Sequence, residues 1–277
     1  QFKKLKYNIK IKKINKNLTI RNFLKNNLPV YDIKYNQKKP FEDISSHSNK
    51  YIMKCFNIAS ELANKKKILG FINCPVSKEF LFKNKHQGIT EYLSKKENRK
   101  DNGVMLIYNP ELSISPITTH IPINQVSRKI YRTKIVNNIK IINSFYKKYF
   151  LKKPNFALLS LNPHNYYDSK ESKIKEKING AIKMLKKQKI NIKGPVPSDS
   201  SFMVFKKYKF DVIIGMYHDQ VLTPFKALYN FKAINITLGL PYIRISPDHG
   251  VGQDIMGRKI ANPDSLIESI KFFNCIK

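Results

Sequence analysis

The sequence predicts an α/β protein with a largely parallel sheet. Two observations carry this reading: short apolar runs of strand length recur along the chain, and long amphipathic stretches of helical period separate several of them. Hydrophobic residues make up 42% of 277 positions, enough for a substantial core in one large domain or two lobes. The first 40 residues, rich in Lys, Asn and Ile and broken by "KIKKINKN" and "YNQKKP", read as a peripheral strand and helix without chemistry. From Asn49 to Lys67, Ile52, Phe56, Ile58, Ala59 and Leu62 fall near helical spacing and predict an amphipathic helix. The strand "ILGFINCP" follows, stopped by Pro75. Further strands are expected at Val104 to Tyr108, Ile114 to Thr118, Phe156 to Leu161, Val212 to Met216 and Ile234 to Leu238. Helices are expected over "VSRKIYRTKIVNNIKIINSFYKKYF", "KESKIKEKINGAIKMLKKQK" and "ANPDSLIESIKFF", the last with Asn262 as cap and Pro263 at the first helical position.

The 52 basic and 19 acidic residues give a formal charge of +33, which raises the question of a nucleic-acid or anionic-surface partner. Arginine occurs only at Arg21, Arg99, Arg128, Arg132, Arg244 and Arg258; the other basic residues are lysines spread over every helix. Specific nucleic-acid sites favour the arginine fork, so this charge reads as solvated surface, not as a nucleic-acid site. Cys55, Cys74 and Cys275 are odd in number and form no CxxC pair. They suggest neither a disulfide framework nor a cysteine-rich zinc site, and fit a reducing cytoplasm. No run approaches the ~18 apolar residues of a membrane span, and no signal-peptide hydrophobic region opens the chain.

Three strands end alike: "ISPITTH" at His120, "FALLSLNPH" at His164 and "DVIIGMYH" at His218. In open α/β sheets ligands bind beyond the carboxyl ends of strands, so these imidazoles could converge on one divalent metal and leave coordination positions open for substrate. The competing account is that each is a hydrogen-bonded structural histidine, since their spacing forms no short-range metal motif. His47 and His86, in polar surroundings, read as surface residues. Lys226, Asn235 and Arg244 follow within one stretch and together suit an anionic substrate. Arg244 lies inside the apolar "PYIRIS", where an unpaired guanidinium is costly; a structural salt bridge is the alternative. "DHGVGQDIMGRKIANP" brings Gly250, Gly252 and Gly257 together with Asp248 and Asp254 but lacks the GxGxxG spacing of a Rossmann site. "KGPVPSDSSF" and "NCPVSK" read as proline turns, in which Asp199 and Lys78 carry no decisive signal.

Taken in order, "TTHIP", "LNPH", "GPVPSDSSF", "MYHDQ", "NITLGLPYIRISPDHG" and "DIMGRKIANP" resemble the 4-hydroxythreonine-4-phosphate dehydrogenase family of pyridoxal phosphate biosynthesis, from about Gly70 to the C-terminus. The chain is also similar to the wider isocitrate and isopropylmalate dehydrogenase fold, two-lobed with a cleft active site, in which a loop like "DIMGRKIANP" contacts the adenosine of NAD. The resemblance implies that His120, His164 and His218 hold a divalent metal (zinc, magnesium or cobalt), and that Thr90, Lys226, Asn235 and Arg244 bind substrate. It places Gly250, Asp254 and Asn262 on NAD or NADP and leaves Asp199 and Asp219 to orient the histidines or relay a proton. It implies a homodimer with the metal site completed across the interface, and NAD-dependent oxidation of 4-phosphooxy-L-threonine followed by loss of its carboxylate. The expected lobes are residues 1–74 with 225–277 on the cofactor side, and 75–224 for metal and dimerisation.

The chain departs from the family pattern in several places. "GHTE" has become "GITE", so Ile89 stands where a substrate-touching histidine is expected; "NPHAGE" has become "NPHNYY" and "HDQG" has become "HDQV". The glycine-rich "GDPAGIGPE" element has no counterpart and the chain starts at Gln1, which implies that an N-terminal element is missing. Two alternatives follow from these changes: a dehydrogenase of a related phosphorylated hydroxy acid such as 4-phospho-erythronate or phospho-threonate, or a catalytically lapsed basic binding protein.

Overall fold

The apolar runs that the sequence marks as strands meet in one sheet. The structure, a computed structural model, describes residues 5–15, 27–37, 39–82, 88–98, 103–166 and 172–276. Its strands are β1 (Ile11–Ile14), β2 (Leu28–Tyr31), β3 (Gly70–Ile72), β4 (Val104–Tyr108), β5 (Ser113–Thr118), β6 (Phe156–Leu159), β7 (Ile192–Val196), β8 (Val212–Tyr217), β9 (Ile234–Leu238) and β10 (Ile243–Pro247). Its α-helices are α1 (Asn49–Asn64), α2 (Lys78–Phe82), α3 (Ile89–Lys96), α4 (Val126–Lys129), α5 (Arg132–Phe150), α6 (Ser172–Lys187), α7 (Ser198–Val204), α8 (His218–Tyr229) and α9 (Asp264–Cys275).

Eight strands pair in the order β3-β10-β9-β4-β5-β8-β6-β7, while β1 and β2 form a separate parallel pair. The run β5-β8-β6-β7 is parallel throughout, as is β3 with β10, whereas β4 and β9 run antiparallel to their neighbours. The sheet is therefore mostly parallel, and it is covered on both faces. That is why β5 and β6 are buried at every residue and read as continuous apolar runs without alternation. Successive side chains point to opposite faces. Leu106, Leu158 and Ile214 join Ile135, Ile139, Ile178 and Phe272 under α5, α6 and α9, and their neighbours Ile107, Leu159 and Ile213 pack with Phe202, Val221 and Phe225 of α7 and α8. A third cluster, Phe56, Leu81, Phe82, Ile89 and Leu93, ties α1, α2 and α3 together.

Several local expectations change. The long helix after Val126 is split, because Ile130 is extended (φ −84°, ψ 112°) and fully buried between α4 and α5. "KGPVP", read as a turn, supplies β7, where Pro195 is tolerated because the strand lies at the sheet edge. "IRISP" forms the wholly buried β10. The cap position of α9 is Pro263, not Asn262, and the helix begins at Asp264; Asn262 stands one residue earlier, where its Oδ1 accepts from Asp264 N at 2.8 Å. The helix expected near the start does not occur in 5–15 or 27–37; residues 16–26 lie outside the described set, as do His86, Arg21 and Arg99. His47 is exposed in a short 3-10 turn, Ser46–Ser48.

Candidate active site

The site grows from the ends of two adjacent strands. Thr118 of β5 pairs with Tyr217 of β8 in the parallel ladder, and its buried Oγ1 donates to Met216 O at 2.7 Å. His120 and His218 therefore leave the sheet just beyond the same rung, and their ring centroids lie 5.7 Å apart. His218 opens α8 directly from β8. Gln220 holds that junction: its Oε1 accepts from Met216 N and its Nε2 donates to Ser160 O, each at 2.7 Å. Gly215 is required for it, since a Cβ there would meet Val221 Cγ1 at 2.5 Å.

These ends open on a cleft of about 520 Å³ that brings together seven of the residues singled out from the sequence: Thr90, His120, His218, Lys226, Asn235, Arg244 and Gly250. Arg244, 4% exposed, donates from Nε to Asn73 Oδ1 at 2.7 Å and from Nη1 to Thr237 Oγ1 at 2.9 Å. No carboxylate comes within ion-pair distance of it among the described residues, so the salt-bridge account of this arginine finds no partner. Burial pulls its pKa down to about 10, the signature of a cation stripped of water without a full counter-charge. Lys226 lies 3.3 Å from Asp248 Oδ2 and donates to Asp248 O at 3.2 Å. The ion pair falls short of a directed hydrogen bond, so this buried oxygen has no donor, and neither has Asn235 Oδ1. Burial raises the pKa of Asp248, with Lys226 opposing.

The two imidazoles suit a divalent cation. Partial burial of the His120 ring, and then the Lys78 ammonium, push its pKa below the ordinary histidine value. Lys78 Nζ is 3.4 Å from His120 Nε2, so that nitrogen presents its lone pair to a cation already. His218 Nδ1 is 2.7 Å from Asp219 Oδ1; the proton this contact needs on Nδ1 leaves Nε2 free to ligate. Among the described residues no three His, Cys, Asp or Glu side chains come close enough to hold one ion.

His164 is placed elsewhere. It follows β6 in an exposed 3-10 turn at φ 52°, outside the cleft lining, and this turn packs on α7, whose first turn carries the exposed Asp199. Asp219 is exposed beside His218. Asp254 and Asn262 are exposed in the loop between β10 and α9, which reaches the cleft at Gly250, where a Cβ would meet nothing within 4 Å. Ile89 lines the cleft while packing into the Phe56 cluster. Lys78, Glu91, Thr237 and Asp248 complete the site's polar shell. Thr237 was detectable in principle, since it stands two residues after Asn235 on one strand and so shares its face.

Residues 1–273 match the profile of the family described as pyridoxal phosphate biosynthetic protein PdxA. A 4-hydroxythreonine-4-phosphate dehydrogenase of Sulfurihydrogenibium sp. is 39% identical over 219 residues, 76% of this chain and 66% of that protein. An Oceanobacillus iheyensis relative with the provisional name D-threonate 4-phosphate dehydrogenase is 33% identical over 236 residues, 83% of this chain and 70% of the relative. The match to the first relative spans just under two thirds of its length. The crystal structure of a 4-hydroxythreonine-4-phosphate dehydrogenase from Burkholderia phymatum superposes on all of this chain and 85% of its own, with TM-score 0.81 and 27% identity. An isocitrate dehydrogenase from Methylococcus capsulatus shares the fold at TM-score 0.52 and 9% identity, over 84% of this chain and 75% of its own.

Proposed function

We propose that this chain, which belongs to the PdxA family of pyridoxal phosphate biosynthetic proteins, oxidises the C3 hydroxyl of 4-phosphooxy-L-threonine with NAD or NADP. The product, 2-amino-3-oxo-4-phosphooxybutanoate, then loses its carboxylate to give 3-amino-2-oxopropyl phosphate. The observation that carries this reading is Arg244: a guanidinium 4% exposed, without a carboxylate partner, facing a cleft shared with Lys226, Thr90, His120 and His218. A buried cation of this kind gains a full counter-charge when an anion enters the cleft.

Arg244, Lys226 and Thr90 hold the phosphate and carboxylate and so fix the position of C3. Asn235 Oδ1, buried and without a donor, accepts from the substrate's ammonium or hydroxyl. Gly250, Asp254 and Asn262 receive the dinucleotide, Asn262 through its amide hydrogens because its oxygen already accepts from Asp264 N. His120 and His218 would hold a divalent zinc, magnesium or cobalt ion, which would supply Lewis acidity, and a bound nicotinamide would supply the hydride acceptor. Asp219 positions His218 through Nδ1, and the remaining ligand is His164 of a second copy, with Asp199 beside it as proton relay. The exposure of His164, and of Tyr166 and Met203 near it, supports such a homodimer. We assign 1–74 with 225–277 to the cofactor-side lobe and 75–224 to the metal and dimer lobe, with the cleft drawing residues from both. Three free cysteines agree with a reducing, cytoplasmic setting.

With a divalent ion and NAD, purified protein should form NADH from 4-phosphooxy-L-threonine. Ile89, aliphatic where it lines the cleft, and the likeness to the Oceanobacillus relative favour a second reading, a dehydrogenase of 4-phospho-erythronate or phospho-threonate. NADH from those acids alone would establish it; none from any of the three would end both.

A further inference from the structure

Thr237 is a polar residue in the middle of β9 and is 2% exposed. The β9–β10 register sets it directly opposite Arg244, whose Nη1 donates to Thr237 Oγ1 at 2.9 Å. On its other side Thr237 Oγ1 is 3.2 Å from Thr90 Oγ1, a residue 147 positions away. Donor chemistry and burial together point to one proton direction along this chain. A guanidinium only donates, so the Thr237 oxygen accepts from it. The Thr237 hydroxyl hydrogen then needs an acceptor, because burial denies it water and an unmade bond is costly. Among the described residues the Thr90 oxygen is the acceptor in reach. Thr90 thereby accepts from Thr237, and its own hydrogen is free for the cleft that it lines.

We propose that Thr237 is a positioning residue that sets the polarity of the anion site: the relay from Arg244 through Thr237 to Thr90 makes Thr90 a hydrogen-bond donor to the ligand's phosphate or carboxylate oxygen. The proposal rests on the reading above, in which Thr90 and Arg244 meet the substrate. Arg244 and Thr90 then both present donors, and this position discriminates against ligands that bring a hydrogen of their own to it. Asn73 plays the complementary part, accepting from Arg244 Nε and holding the guanidinium plane.

The test uses the full chain. Calorimetric titration with inorganic phosphate should show binding about tenfold weaker in Thr237→Val, which keeps the shape but removes the hydroxyl, and within about threefold of the parent in Thr237→Ser. With substrate, Thr237→Val should raise KM about tenfold and leave kcat within about twofold, a split that a general loss of structure would not produce. Thr90→Val should weaken phosphate binding by a similar factor, and the double variant should be no worse than either single one. Unchanged phosphate binding in Thr237→Val, or additive losses in the double variant, overturns the relay. Should Thr237→Val fail to fold, unchanged phosphate binding in Thr90→Val does so. If phosphate binding follows the hydroxyl while none of the phosphorylated acids is oxidised, the relay stands and the assigned reaction is what fails.

Discussion

The ends of β5 and β8 and the end of β6 begin from the same local pattern, a buried apolar strand running out to a histidine, yet they finish differently. β5 and β8 are adjacent and end on one rung, so His120 and His218 face each other across 5.7 Å. β6 is paired on β8's other side, and Ser160, Leu161, Asn162 and Pro163 carry the chain away before His164 adopts its left-handed turn. The first region is partly buried, backed by Asp219, Lys78 and Gln220, and built for a ligand. The second is exposed and stands apart from the cleft lining. Similar sequence context thus yields two facing imidazoles in one place and an exposed, separate one in another, and the difference is strand order.

Mixing variants is the strongest way to break this comparison. His218→Ala and His164→Ala should each lower kcat by about 10³ or more, as should a chelator, and divalent ion should restore only the chelated parent. An equal mixture, dissociated and reassembled, should recover about a quarter of parental activity if each site takes one region from each copy of a two-fold dimer. No recovery would confine His164 to its own chain. Next in size, Arg244→Met should raise KM for the phosphorylated substrate about 100-fold. It should leave the melting temperature unchanged or higher, because it removes a buried charge that has no carboxylate within ion-pair distance among the described residues. A clear loss of stability would show that the guanidinium is part of the scaffold.

Ile89→His tests the cleft wall. It should lower KM by up to about tenfold if a donor is what the wall lacks, and destabilise by about 1–3 kcal/mol because Ile89 is 6% exposed against Phe56 and Leu93. Kinetics with both candidate acids, together with a melt, would read both effects. The smallest effect concerns Asp248. Its pKa is raised above 3.8 by burial, so the folded state holds this proton to higher pH than the unfolded chain does. Stability should therefore fall as pH rises through the window just above 3.8. Asp248→Asn should remove that slope, a change of about 2 °C in melting temperature across the window.

Much of the frame was legible in the residues. Val104–Tyr108 and Ile234–Leu238 form strands over the ranges that their apolar runs mark, and α1 and α6 follow their helical period, because burial on a repeating lattice leaves its period in the sequence. β10 escaped because its central arginine breaks the apolar pattern; that charge is tolerated through Thr237 and Asn73, partners that only strand pairing supplies. β7 escaped because Gly194 and Pro195 read as a turn, and an edge strand does not need the missing amide.

By itself, then, the sequence determined most of the strands and helices and which side chains have the chemistry to bind a cation and an anion, since both are properties of local composition and period. Tertiary structure alone decided which histidines meet, which hydroxyls line up beside Arg244, and that no carboxylate among the described residues lies within ion-pair distance of it. Those depend on strand order and register, which bring together residues as distant as Thr90 and Thr237 through contacts that no local pattern encodes.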